Sequence, residues 1–239
     1  MIELADALCK LFNDTNAKIQ LSALENLNQL LDSMLPFIDA HIQLFYKSLL
    51  TNLGSTNLGV RKSSEALIRQ LNDSTKDKVM LLHVASSVLQ GSSNMRLRPP
   101  LLDQVLELLE LSHQLVTGAQ EAGAGRHEQL KNGLHGLLQN TLLPQSFKLL
   151  DDAKSEVKQR NERLLRMLYS VLGHKVLDAC PKSKLQRVSD ICLGAQPGAR
   201  VAVPLGSASG QVSTVGSKKE FGTGTFGASG SQLHLNSRT

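Results

Sequence analysis

Few groups in this sequence have the residue types and spacing that chemistry needs. Gly222, Gly224 and Gly227 fit G-x-G-x-x-G, the pattern that lets a backbone approach a dinucleotide pyrophosphate. That site requires a strand before the motif and a helix after it. No strand pattern precedes it here, and the twelve residues that follow are too few for the helix. Residues 210–218, GQVSTVGSK, have the wrong order and spacing for a phosphate loop. His127 and His135 lie eight apart, aligned on one helix face, yet no cysteine or carboxylate completes a tetrahedral set. Cys9, Cys180 and Cys192 are odd in number, widely spaced and lack a C-x-x-C pair, so they read as reduced intracellular thiols. None stands beside a histidine in a recognisable nucleophile motif. The expectation is a non-enzyme with no metal, no cofactor and no small-molecule substrate.

What remains is a polar phrase that returns four times: DTNAKIQ from Asp14, STNLGVRK from Ser55, SSNMRLRPP from Ser92 and DAKSEVKQ from Asp152. Each leads into a leucine-rich amphipathic run, and each follows another such run. The unit is therefore helix, short polar loop, helix, the signature of an α-solenoid. Stacked in register, these loops form one edge carrying Asn16, Lys18, Asn57, Arg61, Lys62, Asn94, Arg96, Arg98, Lys154 and Lys158. Such an edge suits an extended acidic partner. Arg61 and Arg98 follow an apolar residue directly and are expected to form a structural ladder with the acidic residues that open neighbouring loops, Asp14 and Asp152, with Arg61 reaching Asp14. The remaining eight, Asn16, Lys18, Asn57, Lys62, Asn94, Arg96, Lys154 and Lys158, are the candidate partner-binding residues.

The elements that hold these loops follow from apolar spacing. Residues 2–12 read as a helix with Leu4, Leu8, Leu11 and Phe12 on one side. The next carries Ile19, Ala23, Leu27, Leu30, Leu31 and Met34, and Pro36 is expected to stop it. Ile38 to Leu53 and Val60 to Leu71 make the second pair, with Ser63 and Ser64 allowing close helix contact. Residues 76–89 lead the third pair, whose partner helix opens at Pro99 and Pro100, where a missing amide hydrogen is harmless. Gly118 to Gly125 breaks the pattern. Residues 126–140 then read as an inserted helix, before a short leading helix to Leu150 and a fourth partner helix striped by Val157, Leu164, Leu165, Leu168 and Leu172. Two pieces, at 175–180 and 182–192, are expected to cap the stack. The first apolar residues after each loop, Ile19, Val60, Leu97 and Val157, give two steps close to the HEAT and armadillo period of about 40 to 47 residues.

Composition agrees with stacked helices. Aromatics are 3% of the 239 residues, Trp is absent, and Leu supplies the apolar content. The formal charge of +5 shrinks once divided: Arg200, Lys218, Lys219 and Arg238 stand against Glu220 beyond residue 193. Residues 1–193 are then nearly neutral, which with the lack of stacking aromatics argues against a nucleic-acid binder. The start of the chain has no secretory pattern, and no apolar run approaches the roughly 18 residues of a membrane span. A cytoplasmic or cytoskeletal protein is expected, with no membrane partner. Nine of the 18 glycines fall in residues 194–239, where periodicity is lost. The domain reading is a helical domain at 1–193 and a disordered Gly/Ser-rich tail at 194–239.

At FNDTNAKIQLSALENLNQLL, LGSTNLGVRKSSEALIRQL and LDDAKSEVKQRNERLLRML the chain resembles HEAT-repeat proteins, and more narrowly TOG domains, the tubulin-binding HEAT arrays. Among these it is most similar to the crescerin family. The resemblance covers about residues 1–193. It implies an all-α solenoid whose intra-repeat loops grip tubulin or microtubules, with a role in microtubule organisation and in the cilium axoneme. The chain departs from the family pattern in showing four clear repeats rather than six, and in lacking the Trp that commonly anchors the first loop. The competing reading is a HEAT or armadillo scaffold holding a protein or peptide on its inner helical face, for which Gln29, Asn72 and Gln104 are the scattered carboxamides.

Overall fold

A computed structural model describes residues 2–118 and 124–194, and these are helical and all-α, with no strand among them. In chain order the elements are α1 (Ile2–Phe12), α2 (Ala17–Asn52), α3 (Leu58–Ser74), α4 (Lys78–Gly91), α5 (Arg98–Gly118) and α6 (Ala124–Leu137). A π-turn (Leu138–Leu142) leads into α7 (Leu143–Leu149), followed by α8 (Ser155–Leu172), α9 (Lys175–Asp178), a 3-10 turn (Lys182–Lys184) and α10 (Leu185–Leu193). The fold is an α-solenoid of four helical hairpins. The first helices of the hairpins are α1, residues 42–52 of α2, α4, and the run α6–α7. The second helices are residues 17–40 of α2, α3, α5 and α8.

The repeated phrase works as a capping device. In each loop the opening side chain accepts from the backbone N–H two residues on: Asp14 Oδ1 from Asn16 at 2.7 Å, Ser55 Oγ from Asn57 and Ser92 Oγ from Asn94 at 3.2 Å, Asp152 Oδ1 from Lys154 at 2.9 Å. In the first two loops the asparagine then accepts from an N–H of the first helical turn, Asn16 from Lys18 and Asn57 from Val60, and in the third Asn94 accepts from Arg96 in the turn that leads into α5. A helix start leaves up to four N–H groups without partners, and a cap of this kind is worth about 1 kcal/mol.

Leucines fill one continuous core from Phe12 and Leu24 to Val188 and Ile191. Within it, polar side chains tie successive hairpins together. The Tyr46 hydroxyl donates to Asn72 Oδ1 at 2.7 Å, and Asn72 Nδ2 donates to Gln104 Oε1 at 3.1 Å, joining α2, α3 and α5. Gln20 and Asn52 both donate to the Phe12 carbonyl, closing the end of α1 against α2. Asn161 of α8 donates to the Ser146 carbonyl of α7. Burying a side-chain amide is tolerated because each of these donors has an acceptor.

Several expectations need correcting. Pro36 does not stop its helix: α2 continues through it, and the break comes at His41, with φ −129° and ψ 17°. Proline removes one backbone donor and crowds the preceding turn, which bends the helix without ending it, so two expected helices form one bent rod. The inserted helix and the short leading helix before Leu150 also join, through the π-turn, into one run. On α1 the buried positions are Ala5 and Phe12, while Leu4 and Leu11 are exposed. Ile19 and Leu30 are exposed as well, although Val60, Leu97 and Val157, which match Ile19, are buried. The tail expectation falls, beyond Gly194, on residues outside those described, as do both glycine-rich motifs.

Candidate loop-edge binding site

Three of the four loops lie side by side and are stitched together. Asn94 Nδ2 donates to the Gly54 carbonyl at 3.5 Å, linking the third loop to the second. Lys154 Nζ donates to the Met95 carbonyl at 2.9 Å, and Arg98 Nη1 reaches Asp152 Oδ2 at 2.5 Å, linking the fourth to the third. The Asp152 side chain is 1% exposed and that of Arg98 26%, so the carboxylate of this pair is shut away from water while the guanidinium is partly solvated. A charge-assisted bond in such a place fixes the spacing of two hairpins. Gly54 permits the approach: a Cβ on it would stand 2.6 Å from Asn94 Nδ2 and 3.0 Å from Leu97 Cβ.

Arg61 does not reach Asp14. Its guanidinium donates to the Ser55 carbonyl at 2.6 Å and the Thr56 carbonyl at 3.2 Å, inside its own loop. Asp14 is occupied with the Asn16 N–H. The hairpin step between the first and second loops is instead held by Gln20, Asn52 and Asn13. Arg98 with Asp152 is the one acidic–basic rung between loops among the described residues.

Between the three stitched loops runs an open groove of about 590 Å³, lined on its basic side by Arg61, Lys62, Arg96, Lys154 and Arg160, with Leu53, Leu58, Pro99 and Pro100 supplying apolar surface. Glu65, Asp103 and Glu156 also line it, yet their charges are taken up locally. Asp103 accepts from Arg160 Nε at 2.8 Å and raises the pKa of that guanidinium, Glu156 lies 3.8 Å from the same group, and Glu65 pairs with Arg69. Lys62 and Arg96 are exposed and have no side-chain partner among the described residues. They leave a net positive field at the mouth of the groove.

The structure thus brings together Lys62, Arg96 and Lys154 of the sequence candidates. Asn16 and Asn57 use their carboxamide oxygens as helix caps, and Asn94 uses its own to hold the turn before α5. Lys154 is committed to a carbonyl. Lys18 lines a separate groove with Leu11 and Ile19, and Lys158 sits half-buried on the first turn of α8. Leu58 and Arg160 escape sequence reading. Leu58 occupies the place directly after the capping asparagine, where the other loops have Ala17, Met95 and Ser155, so an outward aliphatic side chain there was available as a signal.

Of the carboxamides that a scaffold reading would use, Gln29 is exposed, whereas Asn72 is fully buried and half-buried Gln104 bonds to it, so the three form no ladder on one surface. His135 is half-buried, and its pKa is lowered by burial and then by Lys175 and Lys131. The side chain of His127 lies outside those described. Among the described residues no group of three His, Cys, Asp or Glu is placed to hold a metal ion, and no helix is long and apolar enough to cross a membrane.

No family model matches the sequence, and no curated protein matches it. Solved structures do. The crystal structure of the MAST/Orbit N-terminal domain superposes with a TM-score of 0.53 at 19% identity, over 79% of this chain and 78% of that one. A structure described as "Crescerin uses a TOG domain array to regulate microtubules in the primary cilium" superposes with a TM-score of 0.56 at 16% identity, over 81% of this chain and 74% of that one. The chain has the TOG-domain fold. At these identities the likeness is one of architecture.

Proposed function

We propose that this chain is a non-catalytic module that binds tubulin or microtubules through the edge formed by its intra-repeat loops. The observation that carries the reading is the groove that collects Lys62 and Arg96, both exposed and unpaired, from successive loops tied together by the Asn94–Gly54 hydrogen bond, with the Arg98–Asp152 pair tying in the next loop. A fixed row of free cations beside the apolar surface of Leu58 fits an acidic protein partner better than a small molecule. The crescerin similarity supports microtubules as that partner, and a cytoskeletal and ciliary location with it.

Two assays test it: co-pelleting with microtubules, and size exclusion with soluble tubulin at about 50 and 300 mM salt. Binding through exposed charge should weaken more than tenfold across that range, by the change in screening length. Lys62→Glu combined with Arg96→Glu should remove binding while stability stays within about 0.5 kcal/mol, as is usual for exposed positions. Binding that ignores both salt and the charge reversal would move the contact away from this edge.

A further inference from the structure

The first hairpin leaves open a face that every other hairpin closes. Counted from the loop residues Asp14, Ser55, Ser92 and Asp152, Ile19 corresponds to Val60, Leu97 and Val157. Leu4 corresponds likewise to Phe45, Leu82 and Leu142, and Leu30 to Leu71, Leu108 and Leu168. All nine counterparts are at most 3% exposed, because the preceding hairpin covers them. Leu4, Ile19 and Leu30 are 51%, 42% and 53% exposed, and Leu11 on the same hairpin is 41% exposed. A shallow groove of about 360 Å³ between Leu11, Lys18, Ile19 and Ala23 lies on this surface. These are therefore apolar residues at stacking positions, unlike the scattered apolar residues of an ordinary surface.

We propose that this face is an interface for a second copy of the chain, the two first hairpins stacking about a two-fold axis. Continuity supports this occupant, since the exposed positions repeat the register of the three hairpin–hairpin interfaces inside the chain. At the other end of the stack, α9 and α10 lie against α8, with Val176 and Val188 fully buried and Arg166 Nε donating to the Ile191 carbonyl. Head-to-tail addition would set this face against α10, whose exposed Leu185 and Leu193 do not repeat the hairpin register, whereas a two-fold arrangement joins two faces that share that register. Charge supports it as well. Glu3 precedes Leu4 at the start of α1, while Lys18 lines the groove with Leu11 and Ile19, and both charges are exposed. Antiparallel apposition sets the acidic end of one hairpin against the basic end of the other.

The test is light scattering and sedimentation equilibrium of the full chain from about 1 to 100 µM, the range in which moderate association shows. The expected result is twice the mass of one chain at the upper concentrations. Ile19→Glu and, separately, Leu30→Glu should each weaken association at least a hundredfold while the helical circular dichroism and melting curve persist. Leu44→Glu, exposed but off the stacking register, should leave association unchanged. Lys18→Glu should weaken it, and adding Glu3→Lys should restore it. A chain monomeric at 100 µM, or a dimer indifferent to Ile19→Glu, overturns the proposal and leaves the face to a hairpin from another source. Neither result depends on whether the loop edge binds tubulin.

Discussion

Arg61 and Arg98 occupy the same place in two consecutive loops, and their environments separate them. Arg98 faces a carboxylate that is shut away from water, so Arg98→Ala strands a buried charge and should cost about 3 kcal/mol, the lower end for a broken buried pair. Arg61 donates to two carbonyls that solvent can also reach, so Arg61→Ala should cost about 1 kcal/mol. Urea unfolding of both variants measures the difference, and the reverse order would mean that the second loop carries the load assigned to the third and fourth. Sequence reading named all four residues of the expected ladder but paired Arg61 wrongly. Its offset from Asp14 is right; what the pattern does not show is that Asp14 is already used by a backbone N–H in its own turn. The thiols give a second prediction at this scale. Burial, then the neighbouring Cys180, pushes Cys192 up to about 11, and burial raises Cys9 and Cys180 too. Alkylation at pH 7.5 should therefore be slow for all three in the native protein and accelerate on unfolding, since only the thiolate reacts.

Among the elements, the loops are the parts most legible in sequence, because each cap depends on residues within three positions of one another. The helices are less so: periodicity shows which side of a helix is apolar, not what covers it. Ile19 and Val60 look alike in sequence, and only the stack separates them. Helix boundaries at Pro36 and around Leu138 were misread for a related reason, since a bend or a π-turn leaves the apolar pattern almost unbroken. Gly54 marks where two loops touch. Gly54→Ala should cost about 1 to 3 kcal/mol, the usual range for overpacking, and should weaken the proposed tubulin binding by moving Arg96 with its loop. If thermal unfolding shows no change, the second and third loops are not in contact as described. At the far end, Asp151 accepts from Lys184 and lies 3.8 Å from Arg187, joining the α7–α8 loop to the segment that enters α10. Its pKa is lowered first by the Lys184 hydrogen bond and then by the nearby positive charges. A carboxyl depressed on folding stabilises above its unfolded pKa, near 4, and that contribution is lost as pH falls through the folded value. Protection of the α10 amides against hydrogen exchange, corrected for the intrinsic rate, should therefore fall as pH drops below about 4, and Asp151→Asn should remove that pH dependence.

For the whole molecule, the fold was readable because a solenoid repeats one local rule, and four copies of that rule outweigh errors in any one of them. The candidate site was readable only in part, since a groove is made by loops far apart in sequence: Lys62 and Arg96 were named from their types, whereas Leu58 and Arg160 join them only once α3, α5 and α8 are stacked. The bend in α2 has a consequence for this geometry. Residues 17–40 form an arm of about 36 Å at 1.5 Å per residue, with its pivot at His41 and the first loop at its far end. A change of about ten degrees at that pivot would swing Asn16 and Lys18 by about 6 Å, roughly the separation of neighbouring side chains on a helix. The second, third and fourth loops would not move with them. The edge is thus a three-loop jaw with a fourth loop whose place is set by one kink and pinned by the Gln20–Asn52 and Asn13–Ser48 bonds, so a partner that needs all four loops would also read the angle of that kink.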